Sequence, residues 1–329
     1  MSERRVTSRD VATRAGVSQS TVSYVINDAP GQTISAATRE RVLAAAGELG
    51  YAPPAGARPP RRSRLQVVLV VIPDGPLGTV AVLVLESFAA TLEQHGYTVV
   101  SQRRRQRTLA QLMQGFSPVA VADLAALTPG DAAAVADRGI PLVGLSLDGA
   151  AGSAMRIPQR RVGRVQAAHL VERGHTRLAF AASPEPIAEF FLPGRLAGLR
   201  DECAEHGLPA PVVVDVPLYP DAAARAVRRL RDRDEPVTAV CAFDDEVALA
   251  VLSGVASLGL RVPDDLAVVG VDDLPLARLA LPPITTVAIR TEDVGTDLAR
   301  HVLRLLQPEL GLSEPDDEPP IDLVVRATT

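Results

Sequence analysis

The sequence predicts an α/β protein in two parts: a three-helix module at the N-terminus, followed by a larger body of two doubly wound parallel-sheet subdomains. Three observations predict it. Residues 7–27 read as two short helices around a glycine turn. From residue 65 onward, short apolar runs alternate with helix-like stretches. Charge is also divided unevenly: residues 1–64 hold ten Arg and five acidic residues, yet the 329-residue chain has a net charge of −5. A chain of this length exceeds the roughly 100–200 residues of a common domain.

The N-terminal elements follow from local chemistry. Ser8 is placed to cap the first helix, and Asp10 adds negative charge where the helix dipole is positive. Gly16 supplies the left-handed residue that ends it, and Ser18 caps the second helix. Val11, Ala12, Ala15, Val17, Val22, Val25 and Ile26 are spaced to form a shared core, leaving Gln19, Ser20, Ser23 and Tyr24 outside. A third helix runs over 36–49, capped by Ser35, stopped by Gly50, and presenting Val42, Leu43, Ala46 and Leu49 on one face. This is a helix-turn-helix pattern, whose second helix enters the DNA major groove by its N-terminal part. Gln19 and Ser20 are then the candidate base readers, while Thr21 and Ser23 suit phosphate contact or helix packing. The alternative reading is an amphipathic helical hairpin with an ordinary polar surface.

Residues 51–64 are rich in Pro and Arg and read as a linker. The predicted division is a DNA-binding domain at 1–52, a hinge linker at 53–64 and a body at 65–329. Strand-like runs fall at 65–72, 97–100, 119–121, 142–145, 178–181, 212–214, 239–242 and 267–271. Helix-like stretches at 80–95, 131–138, 163–172, 195–206, 221–231 and 245–258 separate them. Such alternation implies parallel sheets with helices on both faces and a ligand site at the carboxyl ends of the strands. The segment 80–95 is apolar around most of its circumference, which predicts cover from more than one side, a subunit interface included, with Val84 as the position to probe.

Composition narrows the function. The acidic body is an unsuitable nucleic-acid binder, whereas the basic N-terminal segment is a suitable one. Cys203 and Cys241 are too few and too far apart for a zinc site or disulfide framework. His95, His169, His175, His206 and His301 are dispersed, with His175 read as a helix-end capping residue, and phosphate-loop, dinucleotide and nucleophile-elbow motifs are absent. The expectation is a cytoplasmic protein without signal peptide or membrane span, not an enzyme, with neither metal nor cofactor.

Several blocks taken together resemble the lactose-repressor family of bacterial transcription regulators. They are Asp10-Val11-Ala12 through Thr21-Val22-Ser23 with Asn27, Thr38-Arg39-Glu40-Arg41-Val42 with Leu49-Gly50-Tyr51, and Arg173-Gly174-His175. Three more follow in order: residues 258–265, Val269-Gly270-Val271-Asp272-Asp273, and Pro282-Pro283-Ile284-Thr285-Thr286. The resemblance implies a periplasmic-binding-protein-like body with an N-subdomain at about 65–158 plus 288–310 and a C-subdomain at about 159–287 plus 320–329. It also implies a homodimer on a near-palindromic double-stranded operator, acting as a repressor, with a small-molecule effector in the cleft. A cleft-binding receptor unconnected with DNA is the alternative.

Carried over to this chain, the DNA-contacting positions are Ser8, Ser18, Gln19, Ser20, Thr21, Ser23, Tyr24 and Asn27, with Arg58 and Arg61 in the linker. The effector-contacting positions are Leu77, Thr79, Arg195, Tyr219, Asp244, Asp245 and Asp272. The chain also departs from the family. Tyr24 stands where an arginine commonly reads guanine, and Asp244 where an asparagine is usual. Residues 75–79 lack the usual aromatic, and Leu218-Tyr219 occupy the region of the sugar-stacking one. Residues 101–107 are basic, which admits an anionic effector, and Pro59-Pro60 oppose a standard hinge helix.

Overall fold

The computed structural model describes residues 6–26, 34–49, 51, 65–75, 77–103, 108–113, 116–124, 127–146, 155–185, 188–313 and 320–329. The chain divides into two compact units, Met1–Gln66 and Val67–Thr329.

The first unit packs α1 (Ser8–Ala15), α2 (Gln19–Ile26) and α3 (Ala36–Glu48) around Val11, Ala12, Ala15, Val22, Val25, Val42, Ala45 and Ala46. Gly16 closes α1 in the left-handed conformation (φ 66°), and its N–H returns to the Thr13 carbonyl. Two sequence expectations need correction. The cap of α1 is Thr7, extended at φ −112°, whose backbone N–H and hydroxyl both donate to Asp10; Ser8 is already helical. Leu43 is 48% exposed and Ala45 takes its place in the core, because the buried positions follow Val42 at i+3 and i+4.

The second unit holds two sheets. Its first half runs β1 (Gln66–Ile72), α4 (Thr79–Glu93), β2 (Tyr97–Arg103), α5 (Leu109–Leu112), β3 (Ala120–Asp123), α6 (Pro129–Ala136), β4 (Leu142–Ser146) and β5 (Met155–Arg156). These strands make a sheet in the order β2-β1-β3-β4-β5, with Val68 opposite Ala120 in a parallel pair. The chain continues through α7 (Gln159–Glu172), β6 (Leu178–Ala182), α8 (Ala188–Glu205), β7 (Val212–Asp215), α9 (Pro220–Arg231), β8 (Ala239–Ala242), α10 (Asp245–Ser257) and β9 (Ala267–Val271). It ends with α11 (Pro275–Leu279), β10 (Thr285–Ile289), α12 (Thr291–Leu306) and β11 (Ile321–Val324). The second sheet has the order β11-β10-β9-β8-β6-β7 and is parallel except where β11 runs antiparallel to β10.

Strands β6, β8 and β9 are buried along their whole lengths, as apolar runs covered on both faces must be. The chain leaves the second sheet after Ile289, and α12 packs Leu298, Ala299, Val302 and Leu303 onto Val68, Val70, Phe88 and Leu92 of the first half. Because β10 reaches Ile289, it spans the boundary expected at 287/288. One face of helix α4 is covered from within the chain: Val84 is 6% exposed and a Cβ on Gly295 of α12 would collide with its carbonyl, while Val82 on another face stays exposed. Val84 therefore probes folding rather than a subunit interface. Among the described residues, no helix is long and apolar enough to cross a membrane.

Candidate functional site

In the N-terminal unit the buried Val22 and Val25 of α2 leave Gln19, Ser20, Ser23 and Tyr24 exposed together. Ser18 accepts from the Thr21 N–H (3.1 Å) and so caps α2, and its hydroxyl also meets those of Ser20 and Thr21 at 2.8 Å. Gln19 donates from Nε2 to the Ser8 hydroxyl at 2.9 Å, which ties the N-terminal ends of α1 and α2 into one polar edge. Each of these groups is at least partly exposed and held by a neutral hydrogen bond, which an incoming polar partner can replace at little cost. Asn27, Arg58 and Arg61 lie outside the described residues.

In the body, the carboxyl ends of β1, β8, β9 and β10 converge on a cavity of about 150 Å³. Its lining includes Leu77, Thr79, Arg195, Asp244 and Asp272 from the expected set, together with Gln159, Phe191, Phe243, Glu246 and Thr291. Thr79 on α4 donates to Glu246 on α10 at 3.3 Å and so joins the two halves across the cavity.

Arg195 is 5% exposed, and its placement is set by how closely α7 and α8 approach. A Cβ at Gly163 would collide with the Arg195 carbonyl, and one at Gly198 with that of Arg160, so the two helices touch backbone to backbone. That approach sets Gln159 beside Arg195, whose Nε donates to Gln159 Oε1 at 2.5 Å while Nη1 donates to the Phe243 carbonyl. The guanidinium also lies 4.6 Å from the Phe243 ring centre and 6.0 Å from that of Phe191, within cation–π range. Burial lowers its pKa, opposed by the charges of Asp272, Asp244 and Asp245. The acids on its own helix pair elsewhere, Asp201 with Arg160 and Glu202 with Arg164.

The carboxylates occupy distinct positions. Asp244 is the N-cap of α10, accepting from the Val247 N–H at 2.7 Å, and burial raises its pKa. Asp272 follows β9 with φ 101°, a left-handed backbone that costs an aspartate free energy and marks a position held by its surroundings. Burial pushes Asp272 up to about 6 against the pull of Arg195. Among the described residues, no hydrogen bond reaches its carboxylate.

Asp245 is turned away from the cavity lining. It accepts from the Thr286 hydroxyl at 2.6 Å and from the Leu274 N–H at 2.8 Å, and burial raises it to about 7. It clamps α10 to β10 and to the turn entering α11, so its geometry is that of a brace rather than of a ligand contact. Tyr219 is 72% exposed and lines a separate surface depression with Leu218, Leu249 and Leu276. His175 closes the end of α7 after the left-handed Gly174, its backbone N–H donating to the Leu170 carbonyl at 3.1 Å, while its Nδ1 bonds the Thr238 hydroxyl at 3.0 Å and burial lowers its pKa. Arg103 of the basic segment donates to the Gly75 carbonyl and stays off the lining, and 104–107 lie outside the described residues. Among the described residues the lining thus carries three carboxylates and one guanidinium, which disfavours the anionic effector that residues 101–107 admitted.

Sequence reasoning missed Phe191, Phe243, Gln159 and Glu246. A signal existed for two of them: Phe191 precedes Arg195 by one helical turn, and Phe243 abuts Asp244 at the end of a strand.

Comparison with known proteins agrees with this geometry. Residues 7–54 match the model described as "Bacterial regulatory proteins, lacI family", and residues 167–329 match "Periplasmic binding protein-like domain". The HTH-type transcriptional repressor CytR of Escherichia coli (strain K12) is 30% identical over 326 residues, covering 93% of this chain and 91% of that protein. The HTH-type transcriptional regulator CelR of Thermobifida fusca is 33% identical over 317 residues, covering 90% and 91%. Among solved structures, the lac repressor dimer bound to operator and the anti-inducer ONPF superposes with a TM-score of 0.75 at 25% identity, covering 99% of each chain. A transcriptional regulator CelR–cellobiose complex matches with a TM-score of 0.67 at 30% identity, covering 99% of this chain and all of that one. The chain belongs to the lactose-repressor family and is a DNA-binding transcriptional regulator, with a helix-turn-helix unit and a periplasmic-binding-protein-like body.

Proposed function

We propose that this regulator is a cytoplasmic repressor that occupies a near-palindromic operator as a homodimer and responds to a small polar effector held in the cavity of its body. The observation that carries the operator reading is the row of exposed polar side chains, Gln19, Ser20, Ser23 and Tyr24, on a helix anchored by Val22 and Val25. Gln19 is suited to adenine, whose N6 and N7 it can pair bidentately, and Ser20 is permissive. Tyr24 offers a ring to a thymine methyl or a hydroxyl to a phosphate. Two copies of such a unit read half-sites one helical turn, or a multiple of it, apart.

A homodimer is supported by an apolar surface on the second half of the body. Leu218, Tyr219, Leu249 and Leu276 line one depression, and nearby in sequence Leu279 is 80% and Leu281 91% exposed. Large exposed apolar residues gathered in this way mark a contact surface. The effector reading is supported by the cavity, where Arg195, Asp244 and Asp272 converge beside two phenylalanine rings at the strand ends where such folds hold ligands.

The test is to select DNA from a random duplex pool with the full-length protein and sequence what is retained, with and without candidate metabolites. The expected product is a two-fold symmetric motif whose enrichment changes with one class of metabolite. Retained DNA without a shared motif, bound no tighter than random duplex at moderate salt, overturns the operator reading. A motif indifferent to every metabolite counts against the effector reading alone.

A further inference from the structure

The charge inventory of the cavity allows the effector to be described more closely than as a small polar molecule. Among the described residues its one cation is committed in part. Arg195 spends Nε on Gln159 and Nη1 on the Phe243 carbonyl, and its face lies against the Phe243 ring. It is part of the wall, and a two-pronged clasp that used Nε or Nη1 for an incoming carboxylate or phosphate would break bonds that hold α8 to α7 and to the end of β8, which leaves Nη2 for a ligand.

The acids are less committed. Asp244 gives an oxygen to the start of α10, Glu246 receives only the Thr79 hydroxyl at 3.3 Å, and the carboxylate of Asp272 receives no hydrogen bond from the described residues. All three line the cavity, and each carboxylate bears on Asp272 electrostatically. The remaining wall is largely apolar, with Ile72, Leu77, Val80, Ile157 and Phe191 among it, so charge there is poorly screened. What the site lacks is a second positive charge with N–H donors. Phe191 and Phe243 line the cavity beside Arg195 and add no charge of their own.

Resting on the reading of this cavity as the effector site, we propose that the effector carries a protonated amine, seated between Asp272 and Glu246, on a skeleton no larger than a monosaccharide.

A bound ammonium favours the ionised form of every carboxylate near it. Asp272, at about 6, and Asp244, also raised by burial, therefore release protons on binding. The charged groups facing them are Arg195 from α8 and Asp245 and Glu246 from α10; the polar side chains that α4, α7 and α12 bring to the lining are the uncharged Thr79, Gln159 and Thr291. Affinity for an amine accordingly rises between pH 5 and pH 7.5.

The experiment uses calorimetry on the full-length protein with matched probes: glucosamine against glucose, galactosamine against galactose, and putrescine against 1,4-butanediol, with glucose 6-phosphate as the anionic control. The expected result is an amine that binds at least tenfold tighter than its hydroxyl partner at pH 7.5 and at least fivefold more weakly at pH 5. Glu246→Gln and Asp272→Asn each weaken that amine about tenfold, with folding of the body verified by a cooperative thermal melt. A hydroxyl or phosphate probe binding as tightly as any amine, or no binding by any amine, overturns the proposal. Ala81→Phe, which projects a ring into the cavity from α4, separates this failure from that of the site itself. If a probe binds the wild type and Ala81→Phe equally well, the cavity is not where effectors bind, whatever their charge.

Discussion

The N-terminal unit and the body use polar side chains in opposite ways. On α2, Gln19, Ser20 and Tyr24 are exposed and, among the described residues, held by single neutral hydrogen bonds or none, so changing one changes the surface and little of the fold. In the body, Arg195, Gln159 and Asp245 are buried and interlocked with backbone carbonyls, neighbouring helices and each other's charges. Substituting any of these three alters stability. The lesson is that binding to DNA and response to an effector should separate cleanly under mutation in one unit and remain entangled in the other.

The largest expected effect is that of Arg195→Met. Removing one partner of a buried, hydrogen-bonded charge system typically costs about 3–5 kcal/mol, because the opposite charges stay buried. The cost has a pH signature. Asp272 has a folded pKa of about 6, raised above its ordinary value, so its contribution to stability is fully present below about pH 4 and is lost as pH rises through about 6. Without Arg195 to oppose burial, that folded pKa rises further. Denaturant melts should therefore show the variant much weaker than the wild type at pH 8 and closer to it at pH 5. A deficit that is the same at both values breaks the claim that charge, rather than packing, accounts for the role of Arg195.

Next is Gly198→Ala. Its new methyl meets the Arg160 carbonyl, so α7 and α8 must separate, at a cost of about 1–3 kcal/mol for overpacking a tight contact. Because Gln159 and Arg195 lie on those two helices, the same substitution should weaken effector response while leaving operator affinity intact in protein that remains folded. Thermal melts and DNA binding on one preparation check both. Unchanged melting would mean that the helices yield without strain.

The same contrast explains what was legible in the sequence. The helix-turn-helix was readable because its core repeats within twenty residues and its caps are local; the one-residue error, Thr7 for Ser8, arose because either hydroxyl precedes Asp10, and only the backbone conformation distinguishes them. The strands buried on both faces were readable as apolar runs, whereas β10 was not, since Thr285 and Thr286 are fully buried but polar. They are tolerated because the Thr286 hydroxyl donates to Asp245, and the Thr285 hydroxyl accepts from the Arg326 N–H and meets the Thr329 hydroxyl. In the cavity, chemical type was legible and direction was not. Of the successive acids Asp244, Asp245 and Glu246, the first and third line the cavity and the second braces the fold, a choice made by the helical turn of α10 and by partners from other parts of the chain.

The smallest effect on stability is expected where the effect on recognition is clear. Gln19→Ala removes an exposed hydrogen bond to Ser8, so melting should change by less than about 0.5 kcal/mol. If Gln19 pairs bidentately with a base in each half-site, specific binding falls by about 1–3 kcal/mol per site, while affinity for random duplex and its dependence on salt stay the same, since no phosphate contact has been removed. Titrations against the selected operator and against random duplex, each at two salt concentrations, separate these terms. If both DNAs lose affinity equally and the salt dependence falls, Gln19 touches the backbone, and Ser20 and Tyr24 are left to carry the choice of sequence.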